Sequence, residues 1–182
     1  MTMDWKAWLG ATLLAAAPAL AQAQAQAKEL RVEHSIIIDA TPEAVWAVAG
    51  DFVGLNKWYP PIPESKLVLG RNNEVGAIRE LRRGNGTKVE EKLIDYDPYV
   101  RSLTYTYAGG EPISSDYFAT LSVKEAPGGK SLVEWKARFK RLAYWTDNPP
   151  PGQDDESVLK ALNTGYPLGL KSLKQVVETS AR

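Results

Sequence analysis

The chain has 182 residues, 44% of them hydrophobic and 24% charged, with 22 basic side chains balancing 22 acidic ones and no cysteine. This is enough chain and enough apolar content for one real core. The neutral balance removes any electrostatic case for nucleic acid or an anionic membrane as partner, and without cysteine there is no disulfide, thiolate nucleophile or zinc–thiolate centre.

The first 27 residues read apart from the rest. A short polar start, MTMDWK, leads into AWLGATLLAAAPAL, an apolar run shorter than the roughly 20 residues of a membrane span, and then into AQAQAQA. Small residues at that spacing suit a signal-peptidase site. We expect a cleaved secretory leader over residues 1–27, ending between Ala23 and Ala27. The product would be periplasmic, with no membrane span in the mature chain and a single domain over residues 28–182.

LRVEHSIIID (residues 30–39) predicts a strand from its β-branched content. Thr41-Pro42-Glu43 then opens a helix, with a hydroxyl at the N-cap, proline at the first position and an acid near the positive end. Val45, Val48 and Phe52 follow at helical spacing, and a second short helical turn carries Leu55, Trp58 and Tyr59 before Pro60, Pro61 and Pro63 stop it. ESKLVLG, AIRELRR, TKVEEKLIDYD, RSLTYTY, DYFATLSVKEA and KSLVEWKARFKRL read as six strands. They are separated by Gly84-Asn85-Gly86, Asp97-Pro98, the loop AGGEPISS and Pro127-Gly128-Gly129. In the last strand Val133, Trp135, Ala137 and Phe139 alternate with Glu134, Lys136, Arg138 and Lys140, which predicts one buried and one wet face. After the stiff NPPPGQ linker, Asp154 or Asp155 caps a helix to about Glu178. Its apolar stripe is Val158, Leu162, Gly165, Tyr166, Gly169, Leu173 and Val176, and a kink is expected at Pro167. The order predicts an α+β domain: a seven-stranded curved antiparallel sheet wrapped around a long C-terminal helix, with two short helices after the first strand.

TPEAVWAVAGDF, GAIRELRRGNG, VEEKLIDYD, SDYFATLSV, KSLVEWKARF and LGLKSLKQV, in that order, resemble the START-like or Bet v 1-like helix-grip superfamily over about residues 29–180. That superfamily includes polyketide cyclases and plant abscisic-acid receptors. VWAVAGDF, EEKLIDYD and SDYFATLSVK look like its periplasmic MxaD-like group in particular, which is linked to methanol oxidation. The resemblance implies a cavity between the concave face of the sheet and the long helix, open at one end and holding a small hydrophobic molecule. It implies a gate at Gly84-Asn85-Gly86, a latch at Gly109 to Ser114, and Glu91 and Tyr117 facing the ligand. The sequence departs from the plant receptors in its short gate and in placing Pro60–Pro63 where their carboxylate-anchoring lysine falls.

The expected ligand-binding residues are Trp58, Tyr59, Arg79, Glu91, Tyr105, Tyr107, Tyr117, Trp135, Leu162 and Tyr166. Glu91 shares a strand face with Val89 and Leu93, so its carboxyl must be paired, protonated or functional. Arg79 on the preceding strand is the natural partner. A structural ion pair at the rim, a pair that orients a polar ligand group, and a catalytic acid or base all remain open. The three tyrosines alternate on adjacent strands, as core residues do, yet half-polar aromatics also line ligand cavities. Gly165 and Gly169 permit either close helix packing or room for a ligand. His34 alone supports no metal pair, and no cofactor is expected. Trp58 and Tyr59 are expected to cap the mouth, so that Trp58→Ala would weaken ligand retention more than it unfolds the domain. The leading expectation is a periplasmic binder of a small hydrophobic or amphipathic ligand, without catalysis. The alternatives are an accessory to a periplasmic dehydrogenase and a cytochrome c, and a cyclase or dehydratase using Glu91 with Tyr105 or Tyr117.

Overall fold

A computed structural model describes residues 27–180. The expected leader lies outside the described residues, except for Ala27. Strand β1 (Leu30–Ile38) leads through a tight turn to α1 (Pro42–Ala49), whose Thr41 cap accepts a hydrogen bond from the Ala44 N–H at 3.3 Å. A 3-10 helix (Val53–Lys57) follows. The N–H groups at its start, which no helical carbonyl meets, are satisfied by side chains: Phe52 donates to Asn73 Oδ1 and Val53 to Asn72 Oδ1. Strands β2 (Glu64–Leu69), β3 (Ile78–Arg82), β4 (Lys88–Asp97), β5 (Ser102–Gly110), β6 (Ser114–Ala126) and β7 (Lys130–Arg141) complete the sheet, and α2 (Asp155–Ser180) ends the chain.

The strands lie in the order β1-β7-β6-β5-β4-β3-β2, every pair antiparallel, so β1 closes against the last strand of a meander. The β5–β6 connection is tighter than the expected eight-residue loop, because β5 continues through Gly110 and β6 begins at Ser114. The period-2 alternation in β7 holds: Val133, Trp135, Ala137 and Phe139 are buried, and the charged residues between them are not. Ile38, Val45, Phe52, Leu93, Val123, Val133, Phe139 and Leu173 form the sealed core, each such side chain contributing about 1.5–3 kcal/mol by leaving water.

Asp154 caps α2, its carboxylate accepting from the Ser157 N–H at 2.7 Å and the Ser157 hydroxyl at 3.0 Å. The helix lies against β1 and β7 and runs unbroken through Pro167. Its buried stripe ends on Val177, 3% exposed, with Leu170 also inside. Val176, the expected last member, is only half-buried, since both residues lie within one turn of Leu173 and the side-to-side position of the helix decides between them. Among the described residues no helix is long and apolar enough to cross a membrane.

Candidate functional site

The registers of β3 to β7 bring the inward-facing side chains together. Arg79 pairs directly with Glu91, Glu91 with Tyr107, Leu93 with Tyr105, and Leu121 with Trp135. Between this face and α2 lies a cavity of about 620 Å³, within the range of small-molecule sites. Its walls are Leu81, Val89, Glu91, Tyr105, Tyr107, Tyr117 and Trp135 from the sheet, and Leu162, Gly165 and Tyr166 from α2.

The aromatics are organised in pairs. Trp135 stacks on Tyr166 with ring centres 4.1 Å apart, and Tyr107 stacks on Tyr117 at 4.4 Å. Trp135 Nε1 donates to the Tyr105 hydroxyl at 3.0 Å, and the hydroxyls of Tyr117 and Tyr166 share a hydrogen bond of 2.6 Å. Burial pushes these phenols up, Glu91's charge adding to the effect at Tyr59, Tyr105 and Tyr107, and Tyr59 is raised to about 12. The cavity therefore offers neutral hydroxyls near pH 7 and no phenolate base.

Glu91 and Arg79 form a buried ion pair, in which Arg79 Nε and Nη2 both donate to Glu91 Oε2, at 2.9 and 2.6 Å. Arg79 Nη1 donates to the Phe52 carbonyl, and the guanidinium packs against the rings of Phe52 and Tyr105, 4.2 and 4.9 Å from their centres. Burial raises the Glu91 carboxyl above its ordinary range, while the charge and hydrogen bonds of Arg79 oppose that rise.

Of the ten side chains expected from sequence, eight line the cavity: Tyr59, Glu91, Tyr105, Tyr107, Tyr117, Trp135, Leu162 and Tyr166. Arg79 and Trp58 stand behind the wall. Arg79 touches the lining through Glu91 and the Tyr105 ring. Trp58 is 3% exposed and meets Trp135 edge to face at 5.5 Å, so it belongs to the packing behind the mouth rather than to a lid. Gly165 and Gly169 are glycines because Tyr59 and Trp135 press on the helix. A Cβ at Gly165 would lie 2.5 Å from the Tyr59 hydroxyl, and one at Gly169 would lie 2.6 Å from Tyr59 Cδ2 and 2.9 Å from Trp135 Cζ3. Close contact is thus the role of Gly169, while Gly165 both touches Tyr59 and lines the cavity.

The lining also includes residues not expected as ligand-binding from the sequence, among them Leu55, Pro61, Ile62, Arg83, Ile113, Ser157, Lys160 and Thr164. The Gly84 N–H donates to the Pro61 carbonyl at 3.3 Å, tying the proline loop to the β3–β4 hairpin, and Arg83 Nη1 donates to the Glu111 carbonyl at 2.8 Å, tying that hairpin to the β5–β6 turn. Gly86, at φ 88°, makes the tight hairpin possible. Arg83 could have been found from the Arg79, Leu81, Arg83 alternation. Lys160 lies off the apolar stripe of α2 and carries no such signal. His34 is not among the lining residues; its Nε2 lies 2.7 Å from Asn163 Oδ1 and links β1 to α2.

A family model described as polyketide cyclase / dehydrase and lipid transport matches residues 29–178. The abscisic acid receptor PYL6 of Arabidopsis thaliana is 22% identical over 148 residues, which cover 80% of this chain and 67% of the receptor. Among solved structures, the protein XoxI from Bacillus cereus superposes with a TM-score of 0.71 at 29% identity, covering 84% of this chain and 98% of that one. The Zhui aromatase/cyclase from Streptomyces sp. R1128 superposes with a TM-score of 0.73 at 17% identity, covering 85% and 97%, a likeness of fold alone.

Proposed function

This chain belongs to the polyketide cyclase / dehydrase and lipid transport family, and from that premise we propose that it binds a small hydrophobic or amphipathic molecule without converting it, as an exported periplasmic protein. The observation that carries this reading is the cavity of about 620 Å³ between sheet and α2, walled by apolar and half-polar side chains. Its aromatics give a ligand broad apolar surface and a few hydrogen bonds. Binding without conversion is supported by the state of the candidate groups. The phenols hold their protons, and one oxygen of Glu91 is bound twice by Arg79. Native mass spectrometry of the protein purified from periplasm, with displacement of a lipophilic dye, tests the reading: a retained small molecule or dye binding is expected. Protein that retains nothing and takes up no dye would sink it.

A second reading, an accessory to a periplasmic dehydrogenase and its cytochrome c, draws on the resemblance to the MxaD-like group. It also draws on an exposed aromatic pair, Tyr144 and Trp145, which are 48% and 66% exposed and in edge-to-face contact at 5.4 Å. Aromatics of this kind are enriched at protein interfaces. Pull-down from periplasm with Trp145→Ala as control tests it, loss of a captured dehydrogenase or cytochrome being the expected result. The enzyme reading would require Glu91 to exchange protons with a substrate despite Arg79; turnover of a candidate polyketide by the parent protein, lost in Glu91→Gln, would support it, and no turnover by the parent would count against it.

A further inference from the structure

The interior and the mouth of the cavity differ in charge. Inside, the one carboxylic acid is Glu91, and its cation is already committed: Arg79 has three donor nitrogens on Glu91 and Phe52 and packs against the rings of Phe52 and Tyr105. An anionic group driven to the far wall would meet a carboxylate with no available cation, in surroundings that strengthen the repulsion. The mouth is the opposite. Arg83 on the β3–β4 hairpin and Lys160 on α2 both line the cavity while staying half-buried and exposed, respectively, which puts them at its open end. Arg83 is held in place through Nη1, which donates to Thr87 Oγ1 at 3.1 Å and to the Glu111 carbonyl, while Nε and Nη2 donate to no described residue. Most described lysines and arginines are held in ion pairs, but neither of these two is, and Glu156, one turn before Lys160, makes no ion pair with it. The charge of Arg83 also reaches the cavity, where it opposes the upward shifts of Tyr59, Glu91 and Tyr107.

We infer that the ligand is an anionic amphiphile bound tail first, its acidic head held at the mouth between Arg83 and Lys160 and its uncharged body among the aromatics. This rests on the cavity-binding reading above and deepens it. The head stays partly in water, which keeps its desolvation cost low, and the guanidinium offers two donors in one plane to an acidic group.

The test is displacement of a neutral lipophilic dye from the purified protein by decanoate, methyl decanoate and decylamine, with the same series on the Arg83→Gln/Lys160→Gln double variant. Decanoate should bind the parent protein about tenfold more tightly than the ester, with decylamine weakest, and the double variant should bring decanoate to the level of the ester. The gap in the parent should also narrow as salt is raised. Lys160→Gln alone, at an exposed position, serves if the change at Arg83 disturbs the hairpin, and should remove part of the gap. Equal binding of decanoate and ester in the parent, or a preference that survives the double change, would overturn the inference and leave the cavity reading standing. Failure of all three compounds to displace a bound dye would likewise overturn the inference alone, and failure of the protein to take up the dye would overturn both.

Discussion

Trp58 and Tyr59 are neighbours in the chain with different surroundings. The backbone leaves the 3-10 helix with both N–H groups bonded to the Leu55 carbonyl, at 3.2 and 2.8 Å. This turns Trp58 into the core, against Trp135, and Tyr59 towards the cavity and α2. Trp58→Ala should therefore cost about 3–5 kcal/mol of stability by leaving a large void, the reverse of what a lid would give; urea denaturation measures it, and a loss under 1 kcal/mol would return Trp58 to the mouth. At the Arg79–Glu91 pair, Glu91→Gln keeps the shape but leaves a buried guanidinium without its counter-charge. A loss of about 3–5 kcal/mol is expected, whereas Arg79→Met with Glu91→Leu together should be close to neutral. If the double variant loses as much as the single one, the pair contributes net stability and this account of it is wrong. The pair itself was legible in the sequence, because a short hairpin fixes the β3–β4 register and sets Arg79 opposite Glu91.

At the scale of elements, α2 is held against the sheet by its glycine positions as much as by its apolar stripe. An alanine at an ordinary helix position gains about 1 kcal/mol over glycine. At Gly169 the new methyl would meet Tyr59 and Trp135 at under 3 Å, and overpacking of this kind costs about 1–3 kcal/mol. Gly169→Ala is expected to lower the thermal midpoint and to reduce dye uptake, since α2 must shift relative to the cavity wall. A raised midpoint would mean that the helix moves freely at that point. The proline loop works in the same way on the other side of the mouth. Pro60, Pro61 and Pro63 restrict a segment that Pro61 anchors to the hairpin through the Gly84 N–H. Strand and helix spans were readable from period and punctuation. The extension of β5 to Gly110 was not, because pairing with β4 carries the strand past residues that read as a loop.

Across the whole molecule, the concentration of tyrosines around one cavity links stability to alkaline pH. Tyr59, Tyr105, Tyr107, Tyr117 and Tyr166 all hold their protons more tightly in the folded state, burial being the main cause. Above the ordinary phenol value near 10, the unfolded chain gives up protons first, so stability falls as pH rises. The contribution of Tyr59 is complete below about 10 and is lost as pH passes through about 12. The denaturant midpoint should decline from about pH 9.5 to 11.5, and Tyr59→Phe should lessen the slope by about one proton; a flat midpoint over that span would contradict the buried phenols. Alternation, turn residues and hairpin register act over a few residues, so the sequence alone carried the strand spans, the buried strand faces and the Arg79–Glu91 pair, and narrowed the α2 cap to Asp154 or Asp155. The tertiary structure was needed to show that Asp154 is the cap and β7 the neighbour of β1, that Trp58 backs the cavity wall while Tyr59 lines it, that Gly169 serves close contact, and that Arg83 and Lys160 line one cavity. Those outcomes depend on how the sheet curves and where α2 rests across it, which packing between residues far apart in the chain sets and no local period encodes.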